Sequence, residues 1–130
     1  MKKIKDYLNK YFPSLFNFLR TWYYKNKILP KEFINHLNKL NKNDVVIDLG
    51  ANVGTITEIL AKTKSKVYAF EPNTKAFHNL KKNMSKYNNV TLYNYAAGVK
   101  NSIIKLYLHK DYNISEDDLT QASSLNLNKE

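Results

Sequence analysis

Hydrophobic and polar positions change their period several times along the chain, and each change predicts an element. Over residues 1–43, Ile4, Leu8, Tyr11, Phe12, Leu15, Leu19 and Trp22 recur at roughly helical spacing with lysines between them. Pro13 should kink that pattern or begin a second helix. Pro30 starts another helix, whose Phe33, Ile34, Leu37 and Leu40 share one face. Asn41 to Asn43 then turn the chain into Val45 to Leu49, a short β-branched run that reads as a strand covered on both faces in a parallel sheet.

The pattern breaks at Gly50-Ala51-Asn52-Val53-Gly54 and resumes with helical spacing at Ile56, Ile59 and Leu60. Thr55 and Glu58 match a T-x-x-E capping box for that helix, which runs to about Lys62. Val67 to Glu71 reads as a second strand stopped by Pro72, followed by a helix capped at Asn73 or Thr74 with Phe77, Leu80 and Met84 on one face. Asn88 and Asn89 end it, and Val90 to Tyr95 reads as a third strand. Strand, helix and parallel strand make right-handed crossover units. Only Ala96 to Asn101 separate the third strand from Ser102 to Leu108, too few residues for a parallel crossover, so an antiparallel hairpin strand is expected. The expected fold is therefore α/β and Rossmann-like but incomplete, with three parallel strands plus one antiparallel strand. Residues 1–43 form a helical extension, 44–125 the partial domain and 126–130 a tail.

The first strand ends in a carboxylate before a small-residue loop. Gly50 and Gly54 supply backbone freedom and remove Cβ atoms where a ligand would approach. The loop reads G-x-N-x-G rather than the dinucleotide pattern G-x-G-x-x-G, so Asn52 sits where a pyrophosphate needs bare backbone. Asp48 would repel a pyrophosphate but suits an ammonium or sulfonium group. S-adenosylmethionine carries both cations, and its carboxylate can use the helix N-terminus and the Asn52 amide. Glu71, about twenty residues past the loop, stands where an acid meets ribose hydroxyls. Ala96 and Ala97 are small enough for an adenine ring to lie flat, and equally suit a close-packed turn.

Val46 to Gly54 and Tyr68 to Asn73, read as D-x-G-A-N-x-G and A-F-E-P-N, together resemble the FkbM family of S-adenosylmethionine-dependent methyltransferases. The resemblance covers roughly residues 40–125. It implies a class I methyltransferase fold and methyl transfer to a hydroxyl of a glycan or natural product. By matching position it implies cofactor contacts at Asp48, Gly50, Ala51, Asn52, Gly54, Glu71, Pro72 and Ala96. Ala122 to Leu125 resembles a serine-containing segment of that family, which brings Ser123 or Ser124 near the acceptor.

Composition narrows the alternatives. The 130 residues suit one domain, and the absence of cysteine excludes a disulfide framework or thiolate zinc site. His36, His78 and His109 are scattered, with no metal-spaced pair. No apolar run approaches the ~20 residues that span a bilayer, and the amino terminus lacks a signal peptide's apolar core; a cytoplasmic location is expected. The net charge of +10 comes almost wholly from lysine, with Arg20 the lone arginine. Specific phosphate and guanine recognition favours arginine forks, so this composition argues against a nucleic-acid reader. The apolar stripe of residues 1–24 is expected to cover the sheet or line the acceptor entrance, although its dense alternation of aromatic and basic residues also admits a peripheral membrane-surface helix.

No general base is assigned: His109 and Asp111 carry no motif, and Ser115 to Asp118 reads as either a helix N-cap or a loop. FkbM-like domains continue through further strands. The expectation is therefore a truncated or split methyltransferase, or a chain whose sheet is completed by a second chain or by a homo-oligomer. Its alternatives are a noncatalytic adenosylmethionine-binding module or gene remnant and, more weakly, a basic peripheral membrane-binding protein.

Overall fold

The computed structural model describes residues 2–100, 102–103 and 105–106. Helices α1 (Lys2–Tyr11), α2 (Pro13–Tyr23) and α3 (Lys31–Leu37) precede the sheet, with a π-helical turn at Tyr24–Ile28 between the last two. Pro13 begins α2 because its missing N–H would have no partner in a first helical turn, and Pro30 occupies the N-cap of α3. Strands β1 (Val45–Leu49), β2 (Lys66–Phe70) and β3 (Val90–Tyr93) alternate with helices α4 (Thr55–Ala61) and α5 (Thr74–Met84).

The sheet runs β1-β2-β3, with all pairs parallel. Its register aligns Val46 with Val67 and Val90, and Asp48 with Ala69 and Leu92. In a pleated sheet such rows share a face. This face is packed: Leu37, Ile59, Leu60 and Val67 form one buried cluster, and Ala51, Ala69, Leu80 and Met84 another. Burial of these side chains contributes on the order of 1.5–3 kcal/mol for each large one.

The opposite face differs from expectation. Val45, Ile47 and Leu49 are each about 60% exposed, so β1 is not covered on both sides. The reason lies in where the helices pack: α3, α4 and α5 all lie on the face of Val46, Val67 and Ala69, which leaves Val45, Ile47 and Leu49 uncovered among the described residues. On the open face the Phe70 and Tyr93 rings stack at 4.8 Å.

Two local details also depart from the sequence reading. The N-cap of α4 is Gly54 in a left-handed conformation, with no side-chain cap, so the Thr55–Glu58 capping box does not form. The box needs its acid three positions after the cap, and Glu58 is the fourth. β3 stops at Tyr93 rather than Tyr95. Of the expected antiparallel strand, Ser102, Ile103, Lys105 and Leu106 are irregular, and the rest lies outside the described residues. His109, Asp111, Ser115–Asp118, Ser123 and Ser124 also lie outside them. Asn73 caps α5 as expected, its side chain accepting from the Lys75 and Ala76 N–H groups.

Candidate functional site

The site is built where β1 and β2 end. After Leu49 the chain turns through Gly50 (φ +82°), Asn52 (φ +50°) and Gly54 (φ +94°), three left-handed residues in five positions. The Gly50 and Ala51 N–H groups both donate to the Phe70 carbonyl, at 2.9 and 3.0 Å, which continues the β1–β2 pairing into the loop. Gly54 suits the packing as well as the φ: a Cβ there would lie 2.7 Å from Leu80 Cδ1 and 3.0 Å from Met84 Cε, so those buried side-chain ends would have to shift. A Cβ at Gly50 would meet nothing within 4 Å, so space opens above this turn.

Glu71 joins the two strand-end loops. The Asn52 N–H donates to its Oε2 at 2.8 Å, and the Asn73 N–H donates to its Oε1 at 2.7 Å. The side chain is buried, which is tolerable because each oxygen is hydrogen-bonded. Each carboxylate oxygen has a second lone pair, so this clamp on the loop is compatible with accepting from a ligand hydroxyl.

Asp48, half-buried near the end of β1, accepts from the Thr57 hydroxyl at 2.7 Å. Burial raises the Asp48 carboxyl above its ordinary pKa, and the Thr57 hydrogen bond partly offsets the rise. Both acids thus bind the segment that leaves β1, Glu71 at Asn52 and Asp48 at Thr57.

Of the other expected contacts, Ala51 is buried in the core under the loop and Pro72 lies beside Glu71. Ala96 is exposed, two residues beyond Asn94, which itself reaches the site: its side-chain amide donates to the Glu71 carbonyl at 2.7 Å. Sequence reasoning missed Asn94, although the strand register carries the signal. Phe70 pairs with Tyr93, so the next residues along the strands, Glu71 and Asn94, are neighbours. It also missed Thr57, and Asn83, whose side-chain amide holds the Val53 carbonyl at 2.8 Å. Among the described residues no group of three His, Cys, Asp or Glu side chains is arranged to hold a metal ion.

The family model for ribosomal RNA adenine dimethylase matches residues 15–119. Ribosomal RNA small subunit methyltransferase A of Thermotoga petrophila is 37% identical over 90 residues, covering 69% of this chain and 34% of that protein. The Thermotoga maritima protein of the same name is also 37% identical over 90 residues, covering 69% of this chain and 32% of its own length. The chain therefore spans about a third of the length of these relatives. A solved dimethyladenosine transferase from Plasmodium falciparum is 25% identical, covering 57% of this chain and 27% of that one, with a TM-score of 0.46.

These findings overturn the FkbM assignment, and with it the hydroxyl acceptor that it implied. Both motif blocks behind that assignment lie where β1 and β2 end, so they report the loops of the fold rather than the acceptor side. The argument against nucleic acid falls too, because scarcity of arginine speaks only to arginine-based readout. Over residues 15–119 the sequence follows the pattern of enzymes named for adenine in ribosomal RNA, and the chain belongs to the ribosomal RNA adenine dimethylase family.

Proposed function

We propose that this chain supplies the S-adenosylmethionine-binding part of a methyltransferase acting on adenine in ribosomal RNA. The observation that carries this reading is the buried Glu71 carboxylate, held by backbone N–H groups of both strand-end loops. In it Glu71 accepts from the ribose hydroxyls, and Asp48 faces the cationic methionine portion. Gly50, Ala51, Asn52 and Gly54 form the close wall of the site, while Pro72 and Ala96 border the adenine. The residues suit the cofactor on the structure's own terms: two acids flank a turn whose Gly50 leaves room for a close approach.

When bound, S-adenosylmethionine supplies an electrophilic methyl group on sulfur, which the acceptor's exocyclic amine takes with loss of a proton. This chain's own contribution is orientation. Glu71 holds the loop at Asn52 and Asp48 holds the first turn of α4 at Thr57 before the ligand arrives, which lowers the entropic cost of alignment. The dimethylase name fits an amine with two replaceable hydrogens.

Calorimetric titration with S-adenosylmethionine tests the cofactor assignment. Glu71→Gln and Asp48→Asn should each weaken binding at least tenfold, and unchanged affinity in both would refute it. Transfer of labelled methyl from the cofactor to small-subunit ribosomal RNA tests the acceptor. Cofactor binding with no label in RNA adenine, when this chain is assayed with all the parts its relatives contain, would refute that half alone.

A further inference from the structure

Helix α2 is packed with its polar side inward. The residues it turns toward the body are Phe16, Asn17, Arg20 and Thr21, and Thr21 is the buried one. The contacts made there are polar: the Thr21 hydroxyl donates to Glu58 Oε2 at 2.7 Å, and the Asn17 amide donates to Asn83 Oδ1 at 3.2 Å. Leu15, Phe18, Leu19 and Trp22 point outward. Ile4, Tyr7 and Tyr11 are likewise exposed on α1, where the Tyr7 ring lies 4.8 Å from Tyr11 and 6.5 Å from Phe12, and every one of the seven is between 44% and 65% exposed. An amphipathic helix ordinarily turns its apolar stripe to the core. The one-sided exposure of Leu15, Phe18, Leu19 and Trp22 on a single helix marks an interaction site.

Charge indicates the occupant. Residues 1–31 contain eight basic side chains and one acid, Asp6, so seven of the ten net positive charges of the chain fall in its first quarter. Interleaved lysine, aromatic and aliphatic residues on a helix form the pattern of an interfacial segment, in which apolar side chains enter the headgroup boundary and lysines meet lipid phosphates. An RNA strand would use the aromatic faces for stacking but has no use for Ile4, Leu15 and Leu19. α1 precedes the residues matched by the family model, whereas the outward residues of α2 lie within them. Among the described residues no helix is long and apolar enough to cross a membrane.

We propose that α1 and α2 seat the protein on an anionic lipid surface, with the outward side of α2 as the inserted face. This inference stands apart from the methyl-transfer reading, and either survives failure of the other. Trp22 is the only tryptophan, so its emission reports insertion directly.

The experiment mixes the full chain with vesicles of phosphatidylcholine, with or without phosphatidylserine, and follows co-sedimentation and Trp22 emission. The protein should pellet with the phosphatidylserine vesicles, with a blue shift of emission, and should be released in part by high salt. Leu15→Ser with Leu19→Ser should weaken vesicle binding at least tenfold while leaving the thermal transition in place, since both side chains are exposed. Failure to pellet overturns the proposal, as does binding that the double substitution leaves intact. A Trp22 response to a ribosomal RNA fragment, with none to vesicles, would assign the face to RNA and overturn it equally.

Discussion

The Thr21 hydroxyl donates to Glu58 Oε2 at 2.7 Å across 37 residues of sequence, and this buried contact fixes the amino-terminal helices to α4. Glu58 also accepts from Tyr87 at 3.0 Å and from Lys86 at 3.1 Å, with Lys62 at 3.4 Å. Burial alone would raise its pKa, but the hydrogen bonds from Thr21 and Lys86, the Lys62 charge and the Tyr87 hydroxyl outweigh it and hold the carboxyl below its ordinary value. The same burial and the adjacent Glu58 charge push the Tyr87 phenol upward.

Glu58→Gln should lower stability by about 2–3 kcal/mol, because one amide cannot accept from all the donors that converge there. Equilibrium urea unfolding measures this. A carboxyl whose folded pKa is depressed contributes stability that is present above its unfolded value, near ~4.3, and is lost as pH falls through the folded value. The wild-type protein should therefore lose stability on acidification through that range, and the variant should show a shallower acid limb. Solvent screening of the partly exposed Lys62 and Lys86 reduces their share of the effect.

Asp48 has the opposite sign. Its folded pKa is raised, so ionised Asp48 lowers stability at neutral pH, and the penalty fades as the carboxyl protonates toward its unfolded value of ~3.9. Asp48→Asn should raise the melting temperature at pH 7 and leave it nearly unchanged at pH 3, while weakening S-adenosylmethionine. A variant both less stable at pH 7 and equally tight for the cofactor would contradict the role given to this acid.

The two glycines of the loop separate conformational cost from packing cost. Gly50→Ala meets open space and should cost only the ~1–2 kcal/mol of a left-handed alanine. Gly54→Ala adds a clash with Leu80 and Met84 in the core, and should cost a further ~1–3 kcal/mol. Thermal denaturation of the pair measures the difference.

Among the described residues β1 has an unpaired edge and an uncovered apolar face, an arrangement that favours strand addition or association. Ile47→Lys with Leu49→Lys should shift the protein toward monomer in sedimentation velocity, with stability changed by no more than roughly 0.5 kcal/mol per site. Identical sedimentation of both proteins would show that this face takes no part in association.

Much of this was legible in the residues. The β-branched run Val45–Leu49, the left-handed glycines and the acid after Phe70 are local signals, and a period of two or of 3.6 needs no tertiary contact to be read. The motif blocks misled at the level of family because they describe loops at strand ends, which different acceptors can share. The Thr55–Glu58 pair misled for a related reason: a capping box is a matter of one residue's placement, and Gly54, not Thr55, took the cap.

The sequence by itself determined the order of strands and helices, the turn between β1 and α4, and the two carboxylates beside it, because steric limits on the backbone and hydrophobic periodicity act over a few residues. Only the tertiary structure decided that Glu71 binds Asn52, that Glu58 gathers Thr21, Lys86 and Tyr87, and that α2 keeps its apolar side outward. Those outcomes depend on which groups compete for the same buried donors and acceptors, and residues 19 to 37 positions apart meet only once the sheet and its helices have packed.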